Sequence, residues 1–431
     1  MLNSRFRALA AVMAFAIAAL AGCGGKSDDD ESASVRLVNA TLTHASINLL
    51  ANTETIITGT ASDSVSAYVG VSDGSPALQV NDANTGAVLA VTAPTVTGGQ
   101  KFALLAYESG GSVRTAAITE ATTPPTSGTA IVRVFNAATD AGSIDVYVTD
   151  PAVDITTLSS PTASFTASTS VQASNFASFG PGTYRLRVTG AGNPSDLRLD
   201  IPSFTLASQQ VATAILTPTT GGTLTNGSVL IEDGSYTATR NTNTRVRLLA
   251  AVTNGASVSA SGGGTAIATN VIAPTIGNYV SVPSGSALNI TVNGASVAAP
   301  ATALAAGSDM TLMVYGNVPT VTASLITDDN HLPTATNNYK LRLINGVTGA
   351  AVPLSMDVNF ANVASNIQPG TASGYTVLVA TPAIPTQLSV SSPSSLTPVF
   401  TQSFTPPGSS VFTLFMLGNT GSTIGVLRRD R

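Results

Sequence analysis

The sequence predicts an all-β protein built from four tandem β-sandwich modules that follow a signal peptide and a short tether. Three observations lead to this prediction. The composition favours short strands, one strand-like motif occurs four times, and turn-forming residues separate apolar segments at regular intervals.

The composition sets the class of protein. The chain has 431 residues, too many for one domain, and only 10% of them are charged, against about 25% in a typical globular protein. The formal net charge is -5 and no dense basic run occurs. A nucleic-acid-binding surface, which needs clustered Lys and Arg, is therefore not expected.

Residues 1–22 have the features of a secretory signal. Arg5 and Arg7 precede an apolar run at residues 8–21, which is shorter than the roughly 20 residues that cross a bilayer. The segment Leu20-Ala21-Gly22-Cys23 resembles the lipobox of bacterial lipoproteins. That resemblance implies lipidation of the Cys23 sulfur and cleavage before it. The alternative is an ordinary signal peptide with an incidental cysteine.

The lipobox resemblance also bears on location. Gly24, rather than Asp, follows Cys23, and by the same resemblance this favours the outer membrane, on its periplasmic or surface face. Residues 23–34 are then expected to form a flexible acidic tether, with a calcium site at residues 28–31 as the alternative interpretation. Cys23 is the only cysteine of the chain, so each module must be stabilised by its core alone.

A repeated motif opens each module. Its pattern is apolar-Arg-apolar-apolar, and it occurs at residues 35–40, 132–137, 246–251 and 341–346, with Arg36, Arg133, Arg247 and Arg342 in the same register. A second apolar segment follows about eleven residues after each Arg, at residues 47–49, 144–148, 258–260 and 354–358. Two such runs with a turn-forming gap predict antiparallel neighbours.

Later segments complete the pattern. Residues 102–107, 211–216, 310–315 and 411–417 are apolar, and each is followed by one last strand-like run. Roughly seven short strands in about 100 residues are typical of immunoglobulin-like sandwiches, although the Cys-Trp-Cys signature of true immunoglobulin domains is absent.

The motifs resemble those of domain-of-unknown-function family 4397. The resemblance is strongest in the second module, at residues 131–148, which contain Ile-Asp-Val-Tyr-Val, and at residues 179–188, which contain Gly-Thr-Tyr-Arg-Leu-Arg-Val. It implies bacterial exported β-sandwich modules and carries no activity with it.

The repeat defines the expected domains. The modules are predicted at residues 35–120, 130–233, 244–328 and 339–431, joined by linkers at residues 120–129, 233–243 and 328–338. Modules stacked end to end would form a rod longer than about 100 Å.

The four repeated arginines are interpreted as structural. On the solvent face of the opening strand, a charge at Arg36, Arg133, Arg247 and Arg342 would discourage edge-to-edge pairing. The alternative is a ladder of cations that binds a ligand.

No catalytic or metal constellation emerges from the sequence. The two histidines, His44 and His331, are far apart, and a solvated cluster of His331 with Asp328 and Asp329 is favoured over catalysis. A calcium clamp at the module ends is an open alternative, with ligands from Glu120, Glu232, Asp233, Asp328 and Asp329. The run Gly262-Gly263-Gly264 is interpreted as a hairpin tip.

These features predict a non-enzymatic, lipid-anchored protein of the cell envelope that acts as a surface stalk, adhesion or interaction module. Its expected partners are the membrane, through lipid at Cys23, and an envelope protein or polysaccharide, and no cofactor is expected. The alternative function is a lectin-like lipoprotein that binds polysaccharide or cell wall. A hydrolase is disfavoured because no acid–base pair is evident.

Overall fold

The computed structural model describes residues 32–121, 123–253, 255–349 and 352–431. The predicted signal peptide, the predicted lipidation site at Cys23 and the acidic run at residues 28–31 lie outside these residues. Across the described ranges the chain is almost entirely β, with 3₁₀ turns at Thr139–Ala141 and Ile155–Thr157 as its helical elements. None of these described segments is a helix of the length and apolarity that a bilayer crossing requires.

The predicted fold class, four β-sandwich modules, is confirmed. Module 1 contains β1 Ala33–Ala40, β2 Ser46–Ala51, β3 Glu54–Ala61, β4 Ser64–Val65, β5 Val69–Val71, β6 Leu78–Asp82, β7 Val88–Thr92, β8 Lys101–Ser109 and β9 Ser112–Thr119. Module 2 contains β10 Ala130–Asn136, β11 Ile144–Thr149, β12 Ala163–Phe165, β13 Gln172–Ala173, β14 Ala177–Phe179, β15 Gly182–Gly190, β16 Asn193–Leu206, β17 Val211–Pro218, β18 Thr225–Ile231 and β19 Tyr236–Thr239.

The second half of the chain repeats this plan. Module 3 contains β20 Asn243–Val252, β21 Ser257–Gly262, β22 Thr265–Ile272, β23 Thr275–Ile276, β24 Val280–Pro283, β25 Leu288–Val292, β26 Ala295–Val297, β27 Asp309–Asn317 and β28 Thr320–Asp328. Module 4 contains β29 Asn338–Asn345, β30 Leu354–Val358, β31 Ala361–Ile367, β32 Thr371–Ala372, β33 Thr376–Val379, β34 Thr386–Ser391, β35 Phe400–Phe404, β36 Ser410–Asn419 and β37 Ser422–Arg429.

Each module has two sheets of fixed topology. The opening sheet of module 1 has the order β4-β1-β8-β9, with β5 also on β1, and its second sheet has the order β3-β2-β6-β7. Modules 2, 3 and 4 follow the same plan, with β19 extending the opening sheet of module 2. The first strand pairs in parallel with the penultimate long strand in every module, and the other pairs within the sheets are antiparallel.

The expectation that the first two segments of a module are antiparallel neighbours is wrong, because they lie in different sheets. In modules 1 and 4 the asparagine that ends the opening motif stabilises this crossing. The Asn39 Oδ1 accepts the Thr41 amide in a short turn, while Asn39 Nδ2 donates to the Thr60 carbonyl of β3 in the second sheet. Asn345 makes the equivalent bonds in module 4. Such Asx turns redirect the chain without a helix or hairpin.

The opening strands are buried on both faces. In β20, Val246, Leu248 and Ala250 belong to the core of module 3, whereas Leu249 and Ala251 belong to a separate apolar cluster shared with module 4. Alternate residues of a strand point to opposite faces, so an uninterrupted apolar run covers two layers at once.

The modules associate in pairs through their opening sheets. The apolar cluster between modules 1 and 2 includes Val38, Leu105, Phe135 and Ile215. The corresponding cluster between modules 3 and 4 includes Met313 and Phe415. The expected end-to-end rod is therefore wrong, because within each pair the sandwiches lie sheet against sheet.

The chain enters and leaves modules 1, 3 and 4 at the same end. In module 1, Ser34 lies opposite Lys101 at the start of β8, and Thr119 at the end of β9 lies opposite Phe102. The same pairing pattern occurs in modules 3 and 4, whereas in module 2 the strand β19 pairs antiparallel with β18 and carries the chain back to the opposite end. This geometry brings the two modules of each pair side by side.

Two local predictions have different outcomes. The turn after Gly262 is a hairpin tip, as predicted: Gly263 and Gly264 have φ of 55° and 81° between β21 and β22. The expected linker at residues 233–243 is not a plain connection, because β19 lies within it and pairs with β18.

Candidate functional site

The four repeated arginines lie at the interfaces between paired modules, and the prediction that they face solvent is wrong. Arg36, Arg247 and Arg342 are 1–2% exposed, and Arg133 is half-buried. The opening strand is central in its sheet, with no edge to protect. Its outer face is covered by the partner module, so each guanidinium group must be satisfied across the interface.

In modules 3 and 4 each repeated arginine forms an ion pair with an aspartate of the other module. Arg247 Nη1 pairs with Asp430 of module 4, and Arg342 Nη2 pairs with Asp328 of module 3. Arg247 also lies 3.5 Å from Asp328. The two modules thus hold each other through a crossed, fully buried pair of ion pairs.

Threonines on the penultimate strands complete this network. Thr311 Oγ1 accepts from Arg247 Nε at 2.8 Å and donates to Asp328 Oδ2 at 2.7 Å. Thr413 makes the equivalent bonds with Arg342 Nε at 3.1 Å and Asp430 Oδ2 at 2.5 Å. Hydrogen bonds of this kind satisfy the remaining donors and acceptors of a buried ion pair.

The arginine network between modules 1 and 2 contains fewer carboxylates. Arg36 Nε donates to Glu120 Oε1 of its own module at 2.7 Å, and Arg36 Nη2 donates to the Ile231 carbonyl of module 2 at 3.1 Å. Arg133 donates to Thr213 Oγ1 at 3.1 Å and to the Thr119 carbonyl of module 1. Among the described residues, no carboxylate oxygen lies within 4.0 Å of Arg133.

An aromatic ring covers each arginine at its repeat position. The guanidinium carbons lie 4.5–4.9 Å from the ring centroids in four pairs, which are Arg36 with Tyr68, Arg133 with Phe176, Arg247 with Tyr279 and Arg342 with Tyr375. These distances are typical of cation–π contacts. The sequence contains this signal, since the aromatic residues recur at one register, but the register alone does not reveal that an arginine is the partner.

Two neighbouring arginines keep the Asp328 side chain ionised. Burial by itself raises the pKa of this carboxyl group, but the guanidinium groups of Arg342 and Arg247 outweigh it and hold the pKa below its usual value. Tyr279 also donates to Asp328 Oδ2, at 2.5 Å. Asp328 is therefore a buried anion that two modules share.

The carboxylates proposed as calcium ligands have other partners. Glu120 binds Arg36, Asp328 binds Arg342, and both Glu232 carboxylate oxygens accept the Ala121 amide at 2.9 Å. Asp233 pairs with Lys101 at 2.6 Å on the surface. In the part of the chain that the structure describes, no group of three or more His, Cys, Asp or Glu residues is arranged to hold a metal ion.

The two histidines lie in separate settings. His44 Nδ1 is 2.8 Å from Asp82 Oδ2 in module 1, and this hydrogen bond is the main reason that the pKa of Asp82 is lowered to about 2. His331 lies in the connection between modules 3 and 4 and contacts Asp329. Asp328, expected beside it in a solvated cluster, is instead fully buried in the arginine network.

A cleft of about 620 Å³ lies beside His331. It is bordered by the β8–β9 turn of module 1, the β17–β18 loop of module 2, the connection that holds His331, and Tyr375 of module 4. Three modules therefore form its wall. Of its charged residues, Asp329 binds His331 and Lys340, and Glu108 accepts hydrogen bonds from Thr43.

Comparison with protein families agrees with the repeated fold. The family model described as a domain of unknown function, DUF4397, matches residues 33–147 and 244–352. The chain belongs to the DUF4397 family. Each matched segment covers one sandwich together with the opening strand of its paired module, so each includes two of the repeated arginines.

Other comparisons add little to this DUF4397 assignment. No curated protein matches the chain. A crystal structure of a candidate cell adhesion protein from Bacteroides uniformis is similar at 12% sequence identity and a TM-score of 0.20, covering 48% of this chain and 99% of that one. A TM-score this low carries no argument about function.

Proposed function

We propose that this DUF4397 protein is a non-enzymatic, lipid-anchored protein of the bacterial cell envelope whose paired modules act in adhesion or in binding another envelope component. One observation carries the proposal. The residues that could do chemistry, namely the repeated arginines with their carboxylates and aromatic rings, are used to hold modules together.

The anchoring part of the proposal rests on the sequence at Cys23. A lipidated cysteine followed by a short acidic tether would hold module 1 close to a membrane, and Gly24 favours the outer membrane. The paired arrangement of the modules supports a broad, compact body near that membrane in place of a long rod.

Phe360 supports an interaction role. This side chain is 87% exposed at the β30–β31 hairpin tip and has φ of 67°, a conformation that is strained for a bulky residue. The matching tip positions of modules 1 and 3 hold Thr53 and Gly264. Because backbone strain concentrates at functional sites, we infer that this ring is a binding contact.

Membrane fractionation with lipid labelling tests the anchor. We expect the wild-type chain to incorporate a radioactive fatty acid and to sediment with outer membranes, whereas Cys23→Ser is exported without label and found in the soluble fraction. Equal sedimentation of the two chains would contradict the anchor.

Binding assays test the interaction role. We expect Phe360→Thr, which installs the residue of the module 1 tip, to reduce adhesion of cells or binding to isolated envelope without lowering the melting temperature. Binding to a glycan array that Phe360→Thr abolishes would instead favour the lectin-like alternative. Turnover in an esterase and glycosidase screen would contradict a non-enzymatic role.

A further inference from the structure

The β17–β18 loop of module 2 joins the two module pairs. The Gly221 amide donates to the Gly307 carbonyl of module 3 at 2.8 Å, and the Asn330 amide donates to the Gly221 carbonyl at 3.2 Å. A Cβ atom on Gly222 would lie 2.6 Å from the His331 amide nitrogen, which is closer than packing allows. This loop and the connection that holds His331 are therefore in direct backbone contact.

His331 links the same two segments through its side chain. Its Nδ1 lies 2.7 Å from Asp329 Oδ1 in its own segment, and its Nε2 lies 3.0 Å from the Thr219 carbonyl oxygen in the loop. Both of these oxygens are acceptors that carry no hydrogen. A neutral imidazole has one N–H group, so it can satisfy one of the two contacts only.

We propose that His331 is a protonation-dependent clamp that fastens module pair 1–2 to module pair 3–4. The imidazolium form donates to Asp329 and to the Thr219 carbonyl together. Loss of a proton leaves a nitrogen lone pair facing one of these oxygens, and if Nδ1 keeps its hydrogen, the contact that fails is the one between the pairs.

The charges around the ring support the cationic form. Asp329 faces Nδ1, and Asp140 of module 2 lies 3.9 Å from Nε2. On the other side, Lys340 Nζ donates to Asp329 Oδ2 at 2.5 Å and to the His331 carbonyl at 3.1 Å. Arg431 is a second nearby cation, whose Nη2 donates to the Asp140 carbonyl at 2.7 Å.

The balance of these effects gives the direction of the pH dependence. Burial lowers the pKa of His331, but the hydrogen bond to Asp329 and the charge of Asp140 outweigh burial and Lys340, so the pKa is raised above 6.5. The clamp is then fully formed below about pH 6.5 and is lost as the pH rises through the raised value.

Two measurements on the full chain test the clamp. The chain has two histidines, so selective histidine labelling gives two sets of ring NMR signals, and the His44→Asn variant assigns them. Hydrogen exchange of the Gly221 amide, corrected for the intrinsic pH dependence, reports docking of the loop.

We expect His331 to titrate above pH 6.5 and Gly221 protection to fall several-fold over the same range, in the wild type and in His44→Asn. In Asp140→Asn the midpoint should drop by about one unit because a facing carboxylate is removed. In His331→Asn the step in Gly221 protection should disappear.

A His331 midpoint at or below 6.5, or Gly221 protection that does not follow the midpoint, would overturn the clamp. If His331→Asn does not fold, the wild type and Asp140→Asn still decide the question, because the NMR midpoint and the exchange step must move together.

Discussion

A guanidinium group buried between two protein layers is stable only when its charge and each of its three nitrogens find partners. Arg342 meets this condition with Thr413, the Thr327 carbonyl and Asp328, beneath the Tyr375 ring. The planar, five-donor guanidinium suits this site better than a lysine would. Arginine thus occupies the same register in all four modules because the interface requires its geometry.

Removing the carboxylate of Asp328, which both modules share, should strongly destabilise the protein. We expect Asp328→Asn to lower the free energy of unfolding by about 3–5 kcal/mol, because it leaves Arg342 and Arg247 buried with one carboxylate between them. Urea denaturation of the two chains measures the difference.

Asp233→Asn is the matched control for this prediction. The Asp233–Lys101 pair also joins two modules, but both side chains are about half exposed, so its loss should cost less than about 1 kcal/mol. Equal costs for the two variants would contradict a special role for burial.

The arginine of module 2 should behave differently from the others. We expect Arg133→Met to cost much less than Arg342→Met, because Arg133 is half-buried and no buried carboxylate would be left without its ion pair. Melting temperatures of the two variants test this ranking, and a larger loss for Arg133→Met would contradict it.

The sequence predicts one part of each arginine site, the arginine and its aromatic neighbour, but not the carboxylate that pairs with the arginine. The register of Arg36, Arg133, Arg247 and Arg342 is visible in the sequence, as is the recurring aromatic residue. The carboxylates are not, because a partner can come from another module: Arg247 and Asp430 are 183 positions apart. No local spacing rule connects residues that only module pairing brings together.

At the scale of strands and loops, the apolar pattern of the opening motif indicates how the strand is buried. A half-exposed strand alternates apolar and polar residues, whereas Leu341, Leu343 and Ile344 of β29 form a nearly continuous apolar run around Arg342. Such a run indicates burial on both faces. Placing the arginine on a solvent face followed from treating each sandwich as isolated.

The loop between β17 and β18 should not tolerate a side chain at its tightest point. Gly222 has φ of 84°, and an added Cβ would meet the backbone of the segment that holds His331. We expect Gly222→Ala to separate the two module pairs, which would enlarge the radius of gyration measured by small-angle scattering.

Gly255→Ala separates this effect from backbone strain. Gly255 has nearly the same φ, 83°, but no atom lies within 4 Å of the position that an alanine Cβ would take there. This variant should therefore cost only the roughly 1–2 kcal/mol of left-handed strain and leave the radius unchanged. An unchanged radius in Gly222→Ala would contradict the prediction.

For the whole molecule, the arginine network predicts sensitivity to acid. The pKa of Asp328 is below its usual value of 3.8 in the folded chain, so its stabilising effect is complete above about pH 3.8 and is lost as the pH falls through the lowered value. We expect the stability difference between the wild type and Asp328→Asn to shrink with acidification.

Urea titrations at pH 6, 4 and 3 measure this difference. Comparing the two chains at each pH cancels the titration of the other carboxyl groups to a first approximation, since the variant retains them. A difference that stays constant down to pH 3 would show that Asp328 does not act as a buried anion.

The return of the chain to its point of entry has a mechanical consequence. Tension applied to the two ends of module 1, 3 or 4 pulls the start of its first strand and the end of its last strand away from the same end of the sheet. The interstrand hydrogen bonds are then broken one after another, like a zipper, instead of sharing the load in shear. A protein of this design should give way at low force when stretched, and it resists pulling mainly where sandwiches are bonded to each other.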